Sequence, residues 1–467
     1  LILAGFSLLS LLILTFYRNH VFTLVLTLAA FLVAGISILF IRGIPSEVSH
    51  LLYVDSFGLF FTGLILFSGF VITIISHSFL KGLEKRREEY YVILLLGSLG
   101  GCILALANHF ISFFLGLELL SISLYILISY TRDRQNSIEA AIKYLLLAGV
   151  SSAILLMGMS FIYAMSGTMT FSGIGMYLKE VDQFSTFFLT GFGMIITGIG
   201  FKMALVPFHL WTPDVYEGAP APTTAFIATI SKASIVILLL RFYLAVNGSE
   251  QMAIIYIFSG ISVLSMLFGN LLALLQQNLK RLLAYSSIAH LGYILVALIA
   301  GGAYGMEAVS FYLIAYVLTI LGAFSLVSLI SNHDKEVMDI QEYRSLFWTR
   351  PWLASGLTIL LLSLAGIPLT IGFIGKYYLL IAGIDGSRWI LVIILIISSV
   401  IGLFYYLRVI VEMIRPTNQP MEERTVMIPK VSVIGGITLV VLTVMVIFYG
   451  TYPSWLSDLI KSLIFSG

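Results

Sequence analysis

A chain of 467 residues that is 60% hydrophobic and only 10% charged cannot present a water-soluble surface. Apolar runs of membrane-spanning length recur from end to end, so the chain reads as an all-α polytopic membrane protein. The formal net charge of +2 gives no sign of a nucleic-acid partner. The single Cys102 excludes a disulfide within the chain and a cysteine-ligated iron–sulfur or zinc centre, so any electron transfer belongs to another chain.

Runs bounded by charge, Pro or Gly predict about fourteen spans, at 1–17, 21–42, 56–79, 91–107, 109–130, 138–165, 184–207, 221–246, 252–276, 281–301, 306–331, 353–382, 389–414 and 431–451. The first run has no basic start and no small-residue cleavage site, so it reads as a span rather than a signal peptide. The longer links, 81–90, 332–350 and 416–430, leave no room for a nucleotide-binding domain. No glycine-rich phosphate loop, HExxH or nucleophile elbow occurs. Fifteen basic residues, Arg18 and Lys280 among them, fall in links after odd-numbered spans, against four in the other links. That asymmetry places the odd links in the cytoplasm and both termini outside. Arg241 and Arg408 lie near span ends, within reach of the surface by snorkelling.

Two segments repeat. Tyr125-Ile-Leu-Ile matches Tyr293-Ile-Leu-Val, and Glu139-Ala-x-x-x-Tyr144-Leu matches Glu307-Ala-x-x-x-Tyr312-Leu, both at an offset of 168 residues. Val206-Pro207 pairs with Ile367-Pro368 at a slightly shorter offset. An odd number of spans separates the copies, so the second is inverted in the membrane, as in ion-translocating folds. This divides the chain into an N-terminal three-helix segment (1–90), a first five-helix repeat (91–246), an inverted second repeat (252–414) and a C-terminal helix and tail (415–467). Pro207 and Pro368 each remove a backbone donor and predict a broken helix in each half.

Ionisable residues gather around those breaks. Glu118 in FFLGLELLSIS and Lys143 in AAIKYLLLAG lie on adjacent spans and are expected to pair, so that a shift of the glutamate changes how readily the lysine gives up a proton. Lys202, His209 and Lys232 form a second group, the first two on either side of Pro207. Lys376, eight residues past Pro368 in SLAGIPLTIGFIGKYY, is their counterpart in the inverted half. Taking a lysine out of water strips its hydration and brings its charged and neutral forms closer in energy, as a proton carrier requires. His290 in SSIAHLGY is placed to bridge the halves. The groups succeed one another along the chain, which predicts a polar track rather than a single binding pocket.

The stretch FKMALVPFHLWTPDVYEGAPAPTTAFIATISKA, with FLGLELLSISLY, SIEAAIKY, NLKRLLAYSSIAHLGY, RSLFWTRP and SLAGIPLTIGFIGKYY, resembles the antiporter-like membrane subunits of respiratory complex I. The form His209-Leu-Trp-Thr-Pro-Asp-Val-Tyr, and the lack of a long C-terminal lateral helix, are similar to the N-type branch rather than the L- and M-types. The resemblance, over about residues 55–415, implies a proton-translocating subunit of a bacterial NADH–quinone oxidoreductase in the inner membrane. It implies a proton path through Glu118, Lys143, Lys202, Lys232 and Lys376, driven by quinone reduction in neighbouring subunits. NADH, FMN, iron–sulfur clusters and quinone are then expected in partner chains, none of them in this one. The M-type subunit and small membrane subunits are the expected neighbours. The same fold serves sodium/proton antiporter and membrane-bound hydrogenase complexes, the alternative reading.

Overall fold

The computed structural model describes residues 1–41, 46–83, 87–181, 185–331, 336–416 and 431–465. Of the residues that carry the charge asymmetry, Arg42, Lys85, Arg86, Lys335, Arg424 and Lys430 lie outside these. The helices in the first half are α1 (Ile2–Phe16), α2 (His20–Phe40), α3 (Ser56–Leu80), α4 (Glu89–Leu106), α5 (Phe110–Ile128), α6 (Gln135–Ser166), α7 (Phe171–Glu180), α8 (Thr186–Met203), α9 (Trp211–Gly218), α10 (Ala221–Phe226) and α11 (Lys232–Ala245). They continue as α12 (Met252–Leu274), α13 (Leu279–Ala300), α14 (Gly302–Ile330), α15 (Leu346–Thr349), α16 (Pro351–Ala365), α17 (Ile371–Asp385), α18 (Trp389–Ile414), α19 (Val433–Thr451) and α20 (Ser454–Phe465). A small antiparallel hairpin, Ser46–Val48 with Leu52–Val54, joins α2 to α3.

Among the described residues, twelve helical segments are long and apolar enough to cross a bilayer, and Ile2–Phe16 and Pro351–Ala365 are shorter apolar helices. One of the twelve, Ala221–Ala245, joins α10 to α11 through a π-turn at Ile227–Ser231. Helix starts follow capping chemistry: Asn19, Asp55, Thr170, Ser185, Asn278 and Ser432 each accept an N–H from the first turn that follows. Ala221–Ala245 and Gly302–Ile330 are enclosed on all sides, and Leu279–Ala300 almost so, whereas α2 and α6 turn broad apolar faces outward. A helix apolar all round suits either setting, which is why hydrophobicity alone does not rank the spans by depth.

Small residues set the closest approaches, as expected where helices meet without a hydrophobic driving force. A Cβ on Gly100 of α4 would lie 2.7 Å from the Leu120 nitrogen and 2.8 Å from the Gly116 oxygen of α5. A Cβ on Gly269 of α12 would lie 2.7 Å from the Ala289 nitrogen and 2.9 Å from the Tyr285 oxygen of α13.

Both broken helices are present, but neither proline ends its helix. α8 stops at Met203, where Ala204 turns left-handed at φ 62° and Leu205 N–H returns to the Gly200 carbonyl. α16 stops at Ala365, where Gly366 turns left-handed at φ 83° and Ile367 N–H returns to the Leu362 carbonyl. These are the same C-terminal motif, in which a left-handed residue lets the next amide satisfy a carbonyl five residues back. Pro207 and Pro368 follow it and prevent the helix from resuming. Four helices lie outside the expected spans: α7, α9, α15, and α20, whose Ser457 hydroxyl donates to Glu307 Oε1 at 2.5 Å.

Candidate functional site

The interior holds a run of ionisable side chains beginning at the first break. Lys202, in the last turn of α8, is buried. Its ammonium donates to Ser121 Oγ on α5 at 2.6 Å and lies 5.6 Å from the centre of the Tyr144 ring. Glu118, three residues before Ser121, accepts the Ser152 hydroxyl at 2.5 Å, and its carboxylate is within electrostatic reach of Lys202. Serine on α6 and lysine on α8 thus flank one face of α5.

The expected Glu118–Lys143 pair is not formed. Lys143 lies at the protein surface, bonded to Glu139 at 2.8 Å and to Asp214 on α9 at 2.9 Å. The reason is register. The residue of α6 that meets Glu118 is Ser152, nine positions past Lys143, a displacement of about 13 Å at the α-helical rise. The lysine within electrostatic reach of Glu118 is instead Lys202 on the broken helix.

Lys232, directly after the π-turn, is wholly buried and donates to Ser287 on α13. Its ammonium lies 5.3 Å from the centre of the Tyr216 ring. The hydroxyls of Tyr216 and Tyr316 come close to Ser287 and to each other, yet neither reaches hydrogen-bond geometry. One turn past Ser287, His290 lies between two tyrosines, with Nδ1 2.5 Å from the Tyr312 hydroxyl and Nε2 3.0 Å from the Tyr406 hydroxyl. A neutral imidazole has one donor and one acceptor, so the two phenols satisfy it completely. Both Lys232 and Lys376 are within electrostatic reach of this ring. Lys376 is buried on α17 and donates to the Ala365 carbonyl and the Ser399 hydroxyl, each at 2.9 Å. Its ammonium lies 5.5 Å from the centre of the Tyr293 ring.

The structure thus joins Glu118 with Lys202, and Lys232 with His290 and Lys376. It does not bond His209 to either neighbouring lysine: His209 is buried past the first break with Nδ1 unpartnered. Arg241 and Arg408 do not snorkel. The first pairs with Asp55 and donates to the Ala105 carbonyl, and the second donates to the carbonyls of Leu274 and Gln276.

Lys280, read from sequence as a link residue, is wholly buried. It forms an ion pair of 2.7 Å with the equally buried Glu336 and donates to the carbonyls of Glu217 and Ala219 at the C-terminal end of α9. Arg134 also reaches Glu336, at 3.1 Å. Arg281 bridges Asp214 and Glu217 at 2.9 and 2.8 Å. A cavity of about 470 Å³, whose lining includes Glu217, Glu336, Asp339 and Glu342, opens beside this clip. Among the described residues no group of three or more His, Cys, Asp or Glu side chains is placed to hold a metal ion.

This geometry has relatives. Residues 107–402 match the family model for the NADH:quinone oxidoreductase/Mrp antiporter transmembrane region. The chain is 44% identical over 454 residues to NADH-quinone oxidoreductase subunit N of Ectopseudomonas mendocina (strain ymp), covering 95% of this chain and 91% of that one. It is similar to a chain of respiratory complex I from Thermus thermophilus with bound aureothin, at TM-score 0.84 and 30% identity over 98% of both chains. It shares its fold with a chain of the Mrp complex from Dietzia sp. DQ12-45-1b, at TM-score 0.84 and 19% identity over 99% of this chain and 95% of that one. A chain of the archaeal membrane-bound sulfane sulfur reductase has TM-score 0.87 at 23% identity over 99% and 96%. On the family match and the identity to subunit N, the chain belongs to the NADH:quinone oxidoreductase/Mrp antiporter transmembrane family, as a member of its subunit N branch.

Proposed function

We propose that protons pass through this chain along Glu118, Lys202, Lys232, His290 and Lys376, bridged by water. The observation that carries the reading is the burial within the bundle of four of these ionisable groups, in two polar clusters, Glu118 with Lys202 and Lys232 with His290 and Lys376. Buried hydroxyls without partners, Tyr216 beside Lys232 and Tyr316 beside His290, are groups that bridging water would satisfy. His209 Nδ1 is such a group at the first break. Lys143, held by Asp214 at the surface, supplies the inlet from the side of the odd-numbered links.

The chain is a membrane-arm, proton-translocating subunit of NADH-quinone oxidoreductase, antiporter-like and without a catalytic redox role of its own. It is a multi-pass protein of the bacterial inner membrane and works within a complex of other antiporter-type and small membrane subunits. The M-type subunit is the neighbour we assign to it. Redox chemistry in partner chains would move Glu118 relative to Lys202 and so change which of them holds the proton.

Fourteen spans are reached by adding α1 and the broken pair α16–α17 to the twelve long segments. The two five-helix repeats, 91–246 and 252–414, are supported by matching contacts. Gly100, Gly116 and Leu120 correspond to Gly269, Tyr285 and Ala289, each 169 residues on (269 − 100, 285 − 116, 289 − 120). The shared left-handed motif at both breaks supports the same division. Segments 1–90 and 415–467 flank the repeats, and the basic residues set the odd links in the cytoplasm.

The test is Lys202→Met in the assembled complex, followed by proton uptake into inverted vesicles per NADH oxidised. Pumping is expected to fall severalfold while NADH oxidation by a soluble acceptor is unchanged. Wild-type pumping by the assembled variant would remove Lys202 from the path.

A further inference from the structure

The buried lysines divide by partner. Lys280 is held by a carboxylate, Glu336. Lys202, Lys232 and Lys376 make no ion pair at bonding distance among the described residues, and each donates to a serine hydroxyl: Ser121, Ser287 and Ser399. The three serines lie on three different helices, α5, α13 and α18. Ser121 and Ser287 are buried, and each lies three residues from an ionisable group of the run, Glu118 and His290. Lys202 and Lys232 have no other hydrogen-bond acceptor among the described residues.

Protonation state explains the choice. An ammonium is a pure donor, whereas a neutral amine presents a lone pair. A carboxylate or a carbonyl only accepts, so it holds the ammonium and offers nothing to the amine's lone pair. A hydroxyl both donates and accepts and rotates freely about its C–O bond. It accepts from the ammonium, then turns and donates to the amine, so one hydrogen bond survives the proton's departure. Ser121 shows the first of these states: it accepts from Lys202 while its own proton rests on the Leu117 carbonyl at 2.6 Å.

We propose that Ser121, Ser287 and Ser399 are positioning residues for proton transfer, which hold Lys202, Lys232 and Lys376 in place in both protonation states. This rests on the lysine run being the proton path. Carboxylate-held Lys280 serves instead as a clip between α13, the end of α9 and the segment at Glu336. Lys376 has a second acceptor, the Ala365 carbonyl, which can take an N–H from either form but offers no proton to the amine's lone pair, so its serine matters most once the proton has left.

The experiment uses the assembled complex in inverted vesicles and reads protons moved per NADH oxidised, with Lys202→Met alongside. Ser121→Ala and Ser287→Ala are expected to lower pumping about tenfold, equivalent to about 1.4 kcal/mol of barrier, and Ser121→Thr and Ser287→Thr, which keep the hydroxyl, to restore most of it. Ser325→Ala is the control, a buried serine bonded only to its own helix at the Leu321 carbonyl, and should pump normally. If the alanine variants assemble and pump like wild type while Lys202→Met does not, the serine proposal is wrong and the lysine path stands. If Lys202→Met also pumps normally, the path itself fails. Should an alanine variant fail to assemble, its threonine counterpart decides: an assembled threonine variant that pumps as poorly as Lys202→Met overturns the proposal.

Discussion

Gly366→Ala probes the second helix break, and the chain carries its own control. Ala204 occupies the same left-handed position at the first break, with φ 62° against 83° at Gly366. A Cβ in that conformation costs roughly 1–2 kcal/mol, and at the first break the fold already bears it. At Gly366 the added carbon would also lie 2.8 Å from Lys376 Cδ and 3.2 Å from Nζ. Ordinary carbon–carbon contact begins near 3.4 Å, so the lysine stem must move by about 0.6 Å, away from acceptors that sit at 2.9 Å. A charged donor that loses one such bond forfeits about 1.5–3 kcal/mol. Gly366→Ala should therefore lower the thermal midpoint of the complex slightly and cut proton pumping about tenfold or more. Ala204→Gly, which relieves the left-handed strain and adds no atom, should leave pumping unchanged. Thermal stability of the solubilised complex and pumping in vesicles measure both. A Gly366→Ala complex as destabilised as the backbone term requires, yet pumping at the wild-type rate, would refute the argument that Lys376 needs this placement.

Five further variants test packing and charge. Gly372→Ala puts a carbon 1.9 Å from the Ser363 carbonyl oxygen across the same break, and should cost about 1–3 kcal/mol or prevent assembly. Gly356→Ala, whose nearest contacts are ordinary at 3.7 Å, should be neutral or gain roughly 0.5–1 kcal/mol from helix propensity; both are read by complex yield and thermal midpoint. Asp55→Ala removes the N-cap of α3 and strands the nearly buried Arg241 guanidinium, which together should cost roughly 3 kcal/mol and show as loss of assembled complex in native gels. Lys280→Met leaves Glu336 buried with Arg134 as its remaining cation, and should destabilise the complex by roughly 3 kcal/mol, whereas Lys143→Met at the surface should change its thermal midpoint little.

Much of this was legible in the sequence because a lysine in a membrane span is costly and therefore conspicuous. Lys202, Lys232 and Lys376 stood out on that ground, and so did the two broken helices beside them. Partners were harder to read. Span lengths say nothing of which residue of one helix faces which of the next, and Glu118 meets Ser152, nine positions past Lys143. Serine carries almost no signal, since most buried serines in helices bond their own carbonyl four residues back, as Ser121 also does. The breaks were assigned to the prolines, but the turn is made earlier by Ala204, a residue whose type gives no hint of a left-handed backbone. Lys280 looked like a link residue because its partner, Glu336, comes from a loop 56 positions away. α20 shows that a short apolar–polar alternation after the last span is enough for a helix, with Leu456 and Ile460 four apart and both buried.

Depth also decides what kind of path the buried groups make. If spans alternate in direction as the basic residues indicate, depth can be counted from the outer end of each helix. Glu118 lies eight residues in from Phe110, His290 ten from Ala300, Lys376 nine from Asp385, Lys232 thirteen from Ala245 and Lys202 sixteen from Thr186. At 1.5 Å per residue these correspond to about 12–24 Å, a band across the middle of a hydrocarbon core of about 30 Å. On that orientation five groups on five helices share one band of depth, as a line along the membrane would and a wire through it would not. The break geometry gives the same result: Lys202 precedes its break on a helix entering from outside, and Lys376 follows its break on a helix leaving toward outside. On that orientation both lysines stand on the outer flank of their breaks. A lateral line conducts across the bilayer only if its ends, or its breaks, connect to opposite faces at different times. On the proposal above, the hydroxyl-held lysines would supply groups able to change charge without moving, and Lys280 with Glu336 would hold the scaffold beside the broken helices.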